Sequence, residues 1–102
     1  MTRKLIAILR GVQPEEVVGI ANAIIDAGIT MIEVPLNSPR PFESIRLLAE
    51  TLGARAIFGA GTVLSPEDVQ SVADAGGKSI VSPDCNPAVI DKTKELGLLS
   101  YP

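Results

Sequence analysis

The sequence predicts an α/β fold built on a parallel sheet. Short apolar runs recur along the chain, amphipathic helical segments fill the intervals, and prolines and glycines punctuate the joins. Successive runs start roughly 20 to 26 residues apart, enough for a crossover helix between parallel strands. The runs are nearly continuous rather than alternating, as strands become when helices cover their outer face. No consensus repeats from unit to unit, which sets a solenoid aside. An open doubly wound sheet and a closed barrel both fit this pattern, and periodicity alone does not choose between them.

The first run, Leu5–Leu9, is partly β-branched and ends at Arg10-Gly11. Pro14-Glu15-Glu16 opens a helix, with proline in the first turn and acids at the positive end of the helix dipole. Val17, Ile20, Ala21, Ile24 and Ala27 follow at helical spacing, and Gly28 stops the helix. Met31–Val34 is a second strand, closed by Pro35. Pro41–Leu52 forms a second helix with Ile45, Leu48 and Ala49 inward, ended by Gly53.

Ala56–Phe58 is the third strand, leading into Gly59-Ala60-Gly61. Ser65-Pro66-Glu67-Asp68 is a helix start, with Ser65 as cap, Pro66 first, and Asp68 at the capping-box position. That helix ends at Ala75-Gly76-Gly77. Ser79–Ser82 is a fourth strand, Asn86-Pro87 starts a helix that ends at Gly97, and Leu98–Tyr101 begins a fifth strand.

Composition narrows the class. At 102 residues with 46% apolar and 21% charged, residues 1–102 read as a single globular unit near the lower size limit for a self-sufficient core. Small aliphatics with few aromatics suit tightly packed α/β layers. A net charge of −3 without a basic run argues against nucleic acid as a partner. No stretch approaches the roughly 18 apolar residues of a membrane span. Arg3-Lys4 and the run after them lack a cleavage site, so a cytoplasmic location is expected. Cys85 stands alone, which rules out an internal disulfide, and histidine is absent. Zinc chemistry is not expected, and neither a metal nor a cofactor is called for.

In both parallel architectures ligands bind beyond the C-terminal ends of the strands. Arg10, Glu33, Asn37, Ser38, Thr62, Ser82, Pro83 and Asp84 gather there, while the opposite turns are mostly Gly, Ala and Thr. Glu33 interrupts an apolar strand, where a carboxylate is costly unless paired or functional. A closed site would raise its pKa and suit it to proton transfer; a salt bridge to a structural arginine such as Arg10 is the other reading. Arg10 is equally an anion clamp or simply that partner. Gly59-Ala60-Gly61-Thr62 lacks both the dinucleotide and the P-loop spacing, so by itself it reads as a tight strand-to-helix turn. Without a histidine to activate it, Cys85 reads as a passive small side chain. Lys4, Lys78, Lys92 and Lys94 fall at strand starts or on a helix, away from the strand ends.

Four segments, Ile6-Ala7-Ile8-Leu9-Arg10-Gly11, Ile32-Glu33-Val34-Pro35-Leu36-Asn37-Ser38-Pro39, Gly59-Ala60-Gly61-Thr62-Val63-Leu64 and Ile80-Val81-Ser82-Pro83, together resemble the pyruvate aldolases of 2-keto-3-deoxy-6-phosphosugar acids, the KDPG/KDPGal aldolase family. They stand in that family's order and spacing, and the resemblance runs along the whole chain. Pro35-Leu36-Asn37-Ser38-Pro39 is similar to the phosphogalactonate branch; the phosphogluconate branch usually carries a Thr-Leu-Arg type of sequence there.

The resemblance implies a (β/α)₈ TIM barrel, of which this chain holds the first four β/α units and the start of strand 5. It implies a class I aldolase, commonly a trimer, that forms a Schiff base between a lysine and its substrate and releases pyruvate and glyceraldehyde 3-phosphate. Glu33 matches the family's proton shuttle, Arg10 a contact to the substrate's acid end, Thr62 a pyruvate-side contact, and Pro83 a pocket-lining position. The family's Schiff-base lysine lies on the sixth strand and its phosphate site on later strands, so the 102 residues alone are expected to lack catalysis. The alternatives are a non-catalytic half-barrel module, or a relative acting on phosphogluconate or 4-hydroxy-2-oxoglutarate.

Overall fold

A computed structural model describes residues 6–82 and 87–101, the last of these without its side chain. The elements alternate without exception: β1 (Ile6–Ile8), α1 (Pro14–Asp26), β2 (Met31–Pro35), α2 (Pro41–Leu52), β3 (Ile57–Gly61), α3 (Pro66–Asp74), β4 (Ser79–Val81), α4 (Pro87–Glu95) and β5 (Leu99–Tyr101). All strand pairs are parallel, and the sheet order is β1-β2-β3-β4-β5.

That order decides between the two architectures. A doubly wound sheet reverses direction at a switch point, and this one never does. Right-handed crossovers that always advance the same way put every helix on one face. The sheet is therefore an arc of a (β/α)₈ barrel. Its core lies between the outer sheet face and the helices. Leu9, Ile32, Val34, Phe58, Ala60 and Ile80 meet Val17, Ala21, Ile25, Ile45, Leu48, Val69, Val72 and Val89 there, all buried.

Local chemistry explains the element boundaries. The Glu16 carboxylate accepts a hydrogen bond from the Gln13 backbone N–H at the start of α1. The Ser65 hydroxyl caps α3 by accepting from Asp68 N–H at 3.2 Å. Gly28, Gly76 and Gly97 follow α1, α3 and α4 at positive φ, where a side chain would be strained. The residues expected inward on α1 need one correction. Val17 and Ala21 are buried and Ile24 half-buried, but Ile20 and Ala27 are exposed, because the stripe runs through Pro14, Val17, Ala21 and Ile25. Asn86, expected at the start of the fourth helix, lies outside the described residues.

The inner face is a different surface. Its register aligns Ile8, Glu33, Gly59, Ser79 and Leu99 across all five strands. At the two edges Ile8 is 56% and Leu99 43% exposed, whereas Glu33 and Ser79 in the middle are buried. Among the described residues nothing covers this face, and β1 and β5 each have one unpaired edge. Exposed edges beside apolar residues recruit partners. The 102-residue chain should therefore self-associate as its concentration rises; a single monomeric boundary at high loading in sedimentation velocity would contradict this.

Candidate active site

Glu33 sits in mid-β2 with its side chain on the inner face. Its burial is local, because β3 offers no side chain at the two facing positions, Gly59 and Gly61. The carboxyl lies in that trough: a Cβ added at Gly61 would overlap Glu33 Oε2, with Cδ 2.5 Å and Oε1 2.7 Å away. Glu33 is 5% exposed, and its Oε2 has no hydrogen-bond partner among the described residues. Burial pushes the carboxyl above the ordinary carboxylate range, and the positive charge of Arg10 offsets part of the rise. Burial is the larger effect, so Glu33 holds its proton unusually well.

That balance carries a stability consequence. The folded state binds the Glu33 proton more tightly than the unfolded chain does, so its contribution is most favourable in acid and falls as pH rises through the folded midpoint. Glu33→Gln should stabilise the chain at pH 7, because the amide fills the same trough with no charge to keep out of water. The gain should vanish below the unfolded value of 4.5. Urea titrations of both proteins at two pH values read this directly; an equal difference at both would refute it.

Arg10 is exposed on the turn after β1. Leu9 N–H donates to the Glu33 backbone carbonyl at 3.0 Å, which anchors this turn beside β2. Ser38, in the turn after β2, is buried, and its hydroxyl accepts from Gly11 N–H at 3.2 Å. The same hydroxyl faces the Leu9 carbonyl at 3.5 Å, the outer limit of a donated bond.

Thr62 follows β3 directly. Its φ of 57° lies in the left-handed region, which a β-branched side chain rarely adopts. Strain of this kind costs on the order of 1–3 kcal/mol and concentrates at functional sites. Thr62, Leu36, Asn37, Phe42, Leu64 and Asp68 line a groove of about 280 Å³ between the starts of α2 and α3. Ser82 is buried, its hydroxyl donating to the Val63 carbonyl at 3.0 Å, so it ties the β4 end to the loop after β3.

Arg10 thus follows β1, Glu33 sits in mid-β2 and Thr62 follows β3, on three adjacent strands, with Thr62 lining the groove beside α2 and α3. Pro83, with Asp84 and Cys85, lies outside the described residues. Lys78 precedes β4, and Lys92 and Lys94 lie on α4, away from this end of the sheet. Among the described residues no cluster of His, Cys, Asp or Glu could hold a metal. No helix of the structure is long and apolar enough to cross a membrane. The segment Gly59-Ala60-Gly61 differs from its expected role: it is strand, not turn, with β3 running through Gly61. The alternation Gly-x-Gly in a strand puts both glycines on one face, and that spacing could have revealed the trough.

Known proteins share the sequence pattern and the fold. The family model for KDPG and KHG aldolase matches residues 1–102. The chain is 48% identical over 102 residues to a probable 2-dehydro-3-deoxy-6-phosphogalactonate aldolase of Rhizobium meliloti (strain 1021), covering all of this chain and 48% of the relative. It is 43% identical over 98 residues to the 2-dehydro-3-deoxy-6-phosphogalactonate aldolase of Escherichia coli (strain K12), covering 96% of this chain and 48% of that one. Among solved structures, one described as native KDPGal superposes with a TM-score of 0.94 at 41% identity, covering 98% of this chain and 48% of the other. A KDPG aldolase of Legionella pneumophila, captured with pyruvate as a covalent carbinolamine, matches with a TM-score of 0.88 at 25% identity, over 99% of this chain and 48% of the other. The chain spans about half the length of the relatives it matches. With a family model matched from end to end, a parallel arc of barrel strands and a buried carboxyl on their inner face, the chain belongs to the KDPG and KHG aldolase family.

Proposed function

We propose that this chain provides the proton-transfer and acid-binding side of a Schiff-base aldolase that cleaves 2-dehydro-3-deoxy-6-phosphogalactonate to pyruvate and D-glyceraldehyde 3-phosphate. The observation that carries the reading is the Glu33 carboxyl, buried on the inner face of β2 with its Oε2 lacking a hydrogen-bond partner among the described residues. A lysine amine from outside the described residues condenses with the C2 ketone and releases water. The resulting iminium accepts the electrons of the C3–C4 bond as the C4 hydroxyl gives its proton to Glu33. Glyceraldehyde 3-phosphate leaves, the enamine takes a proton at C3, and hydrolysis frees pyruvate. A carboxyl whose pKa is raised by burial holds a proton more readily than an ordinary carboxylate, so it can both accept and return that proton.

Arg10 takes the substrate carboxylate and Thr62 the pyruvate side, while for Pro83, outside the described residues, a pocket role rests on the family resemblance alone. The segment Pro35-Leu36-Asn37-Ser38-Pro39, and the names of the relatives at 48% and 43% identity, favour the galactonate epimer over phosphogluconate or 4-hydroxy-2-oxoglutarate. The working enzyme is a cytoplasmic homotrimer that needs no cofactor. One designed cage containing a matching chain is described as a fusion of symmetric oligomeric domains, which supports assembly.

A second reading, a half-barrel module without catalysis of its own, is favoured by one observation. The described lysines all lie away from the strand ends that hold Glu33. Borohydride reduction in the presence of pyruvate separates the two. A covalent pyruvate adduct should form in the gene product carried to its relatives' length and be absent from the 102-residue chain. No adduct in the longer protein would leave only the module.

A further inference from the structure

We propose that Ser38 is a positioning residue that acts through Arg10: its buried hydroxyl fastens the turn after β2 to Leu9 and Gly11, and so holds the Arg10 side chain beside Glu33. The inference deepens the aldolase reading, since an arginine fixed at this point presents its charge to a substrate acid group and to the proton-transfer carboxyl together. Arg10 lies between the two backbone groups that Ser38 engages, Gly11 N–H at 3.2 Å and Leu9 C=O at 3.5 Å. Leu9 N–H is bound in turn to the Glu33 carbonyl. The Arg10 backbone is therefore gripped from β2 on one side and from the following turn on the other.

The Arg10 side chain is exposed and free of any salt bridge among the described residues, so the backbone grip is what limits where its charge can go. Gly11 sits at φ 74°, and its amide has no other hydrogen bond among the described residues. Removing the Ser38 hydroxyl would leave that donor and the Leu9 carbonyl to water or to nothing. A turn at positive φ with its amide released gains conformational freedom, and the guanidinium moves with it. Val12 and Gln13 beyond the turn carry no charge that could replace it.

The test is a titration of the Glu33 side-chain carboxyl by carbon NMR in the 102-residue chain, which needs no turnover. Arg10→Ala should move the Glu33 midpoint upward, because the charge opposing the burial effect is gone. Ser38→Ala should move it in the same direction, by at least half as much. In the Arg10→Ala background Ser38→Ala should add nothing, and Ser38→Thr, which keeps the hydroxyl, should restore the parental midpoint. If Ser38→Ala does not fold, Ser38→Cys takes its place, with a thiol that bonds weakly but fills the same space. A wild-type midpoint in the folded Ser38 variant overturns the proposal, as does an unchanged midpoint in Arg10→Ala or a shift that persists without Arg10. Failure of the aldolase reading would show separately, as absence of a borohydride-trapped pyruvate adduct in the longer protein.

Discussion

In a chain carried to the length of its aldolase relatives, Glu33→Gln should slow cleavage by about two orders of magnitude or more, the scale of a lost general acid–base group. The amide keeps the shape of the carboxyl and fits the trough over Gly61, but it cannot take a proton from the C4 hydroxyl. The loss should fall on kcat with little change in KM, since the group acts on charge that develops during bond breaking. The parent's kcat/KM should rise with pH through the Glu33 midpoint, above the ordinary carboxylate range because burial raises it. Arg10→Ala should move that limb to still higher pH, and Glu33→Gln should abolish it. An unchanged kcat in Glu33→Gln would remove this residue from the mechanism.

Much of this was legible before any coordinates. Proline at the start of each helix and glycine after it located the four helices, because φ-restricted and φ-permissive residues mark helix ends whatever the tertiary context. Glu33 stood out because an acid inside Met31-Ile32-Glu33-Val34-Pro35 is costly unless it is paired or functional. What the letters did not carry was the choice between open sheet and barrel. That choice rests on strand order, a long-range property which the local pattern of each β/α unit leaves free.

The depth of the site was equally hidden. Gly59 and Gly61 read as a turn because glycines mostly end strands, and only the parallel pairing Glu33↔Gly59 and Pro35↔Gly61 reveals them as the floor beneath a carboxyl. Ser38 was visible only as one polar residue among several. Its role depends on Gly11, 27 residues away, and no local pattern encodes that meeting.

Gly61→Ala should lower kcat about 100-fold in the same longer chain while costing little stability, a combination that separates the site from the scaffold. Gly61 is not among the glycines at positive φ, so alanine meets no backbone penalty there. The three atoms nearest its new methyl group would all belong to the Glu33 carboxyl, the far end of a side chain that can swing aside. The fold yields cheaply, and the carboxyl leaves the position from which it reaches substrate. A displacement on the order of 1 Å at a reacting group is enough to cost about 100-fold. Pushed toward water, Glu33 should also titrate at lower pH than in the parent. Gly59→Ala supplies the contrast, because its methyl would strike the Ser79 backbone, with the carbonyl carbon 2.7 Å away, and force β3 and β4 apart. That variant should lose stability first and activity only as a consequence. Combining Gly61→Ala with Glu33→Gln should cost no more activity than the worse single change, since both remove the same proton acceptor. Additive losses would mean that Gly61 serves the reaction by a route other than making room for Glu33.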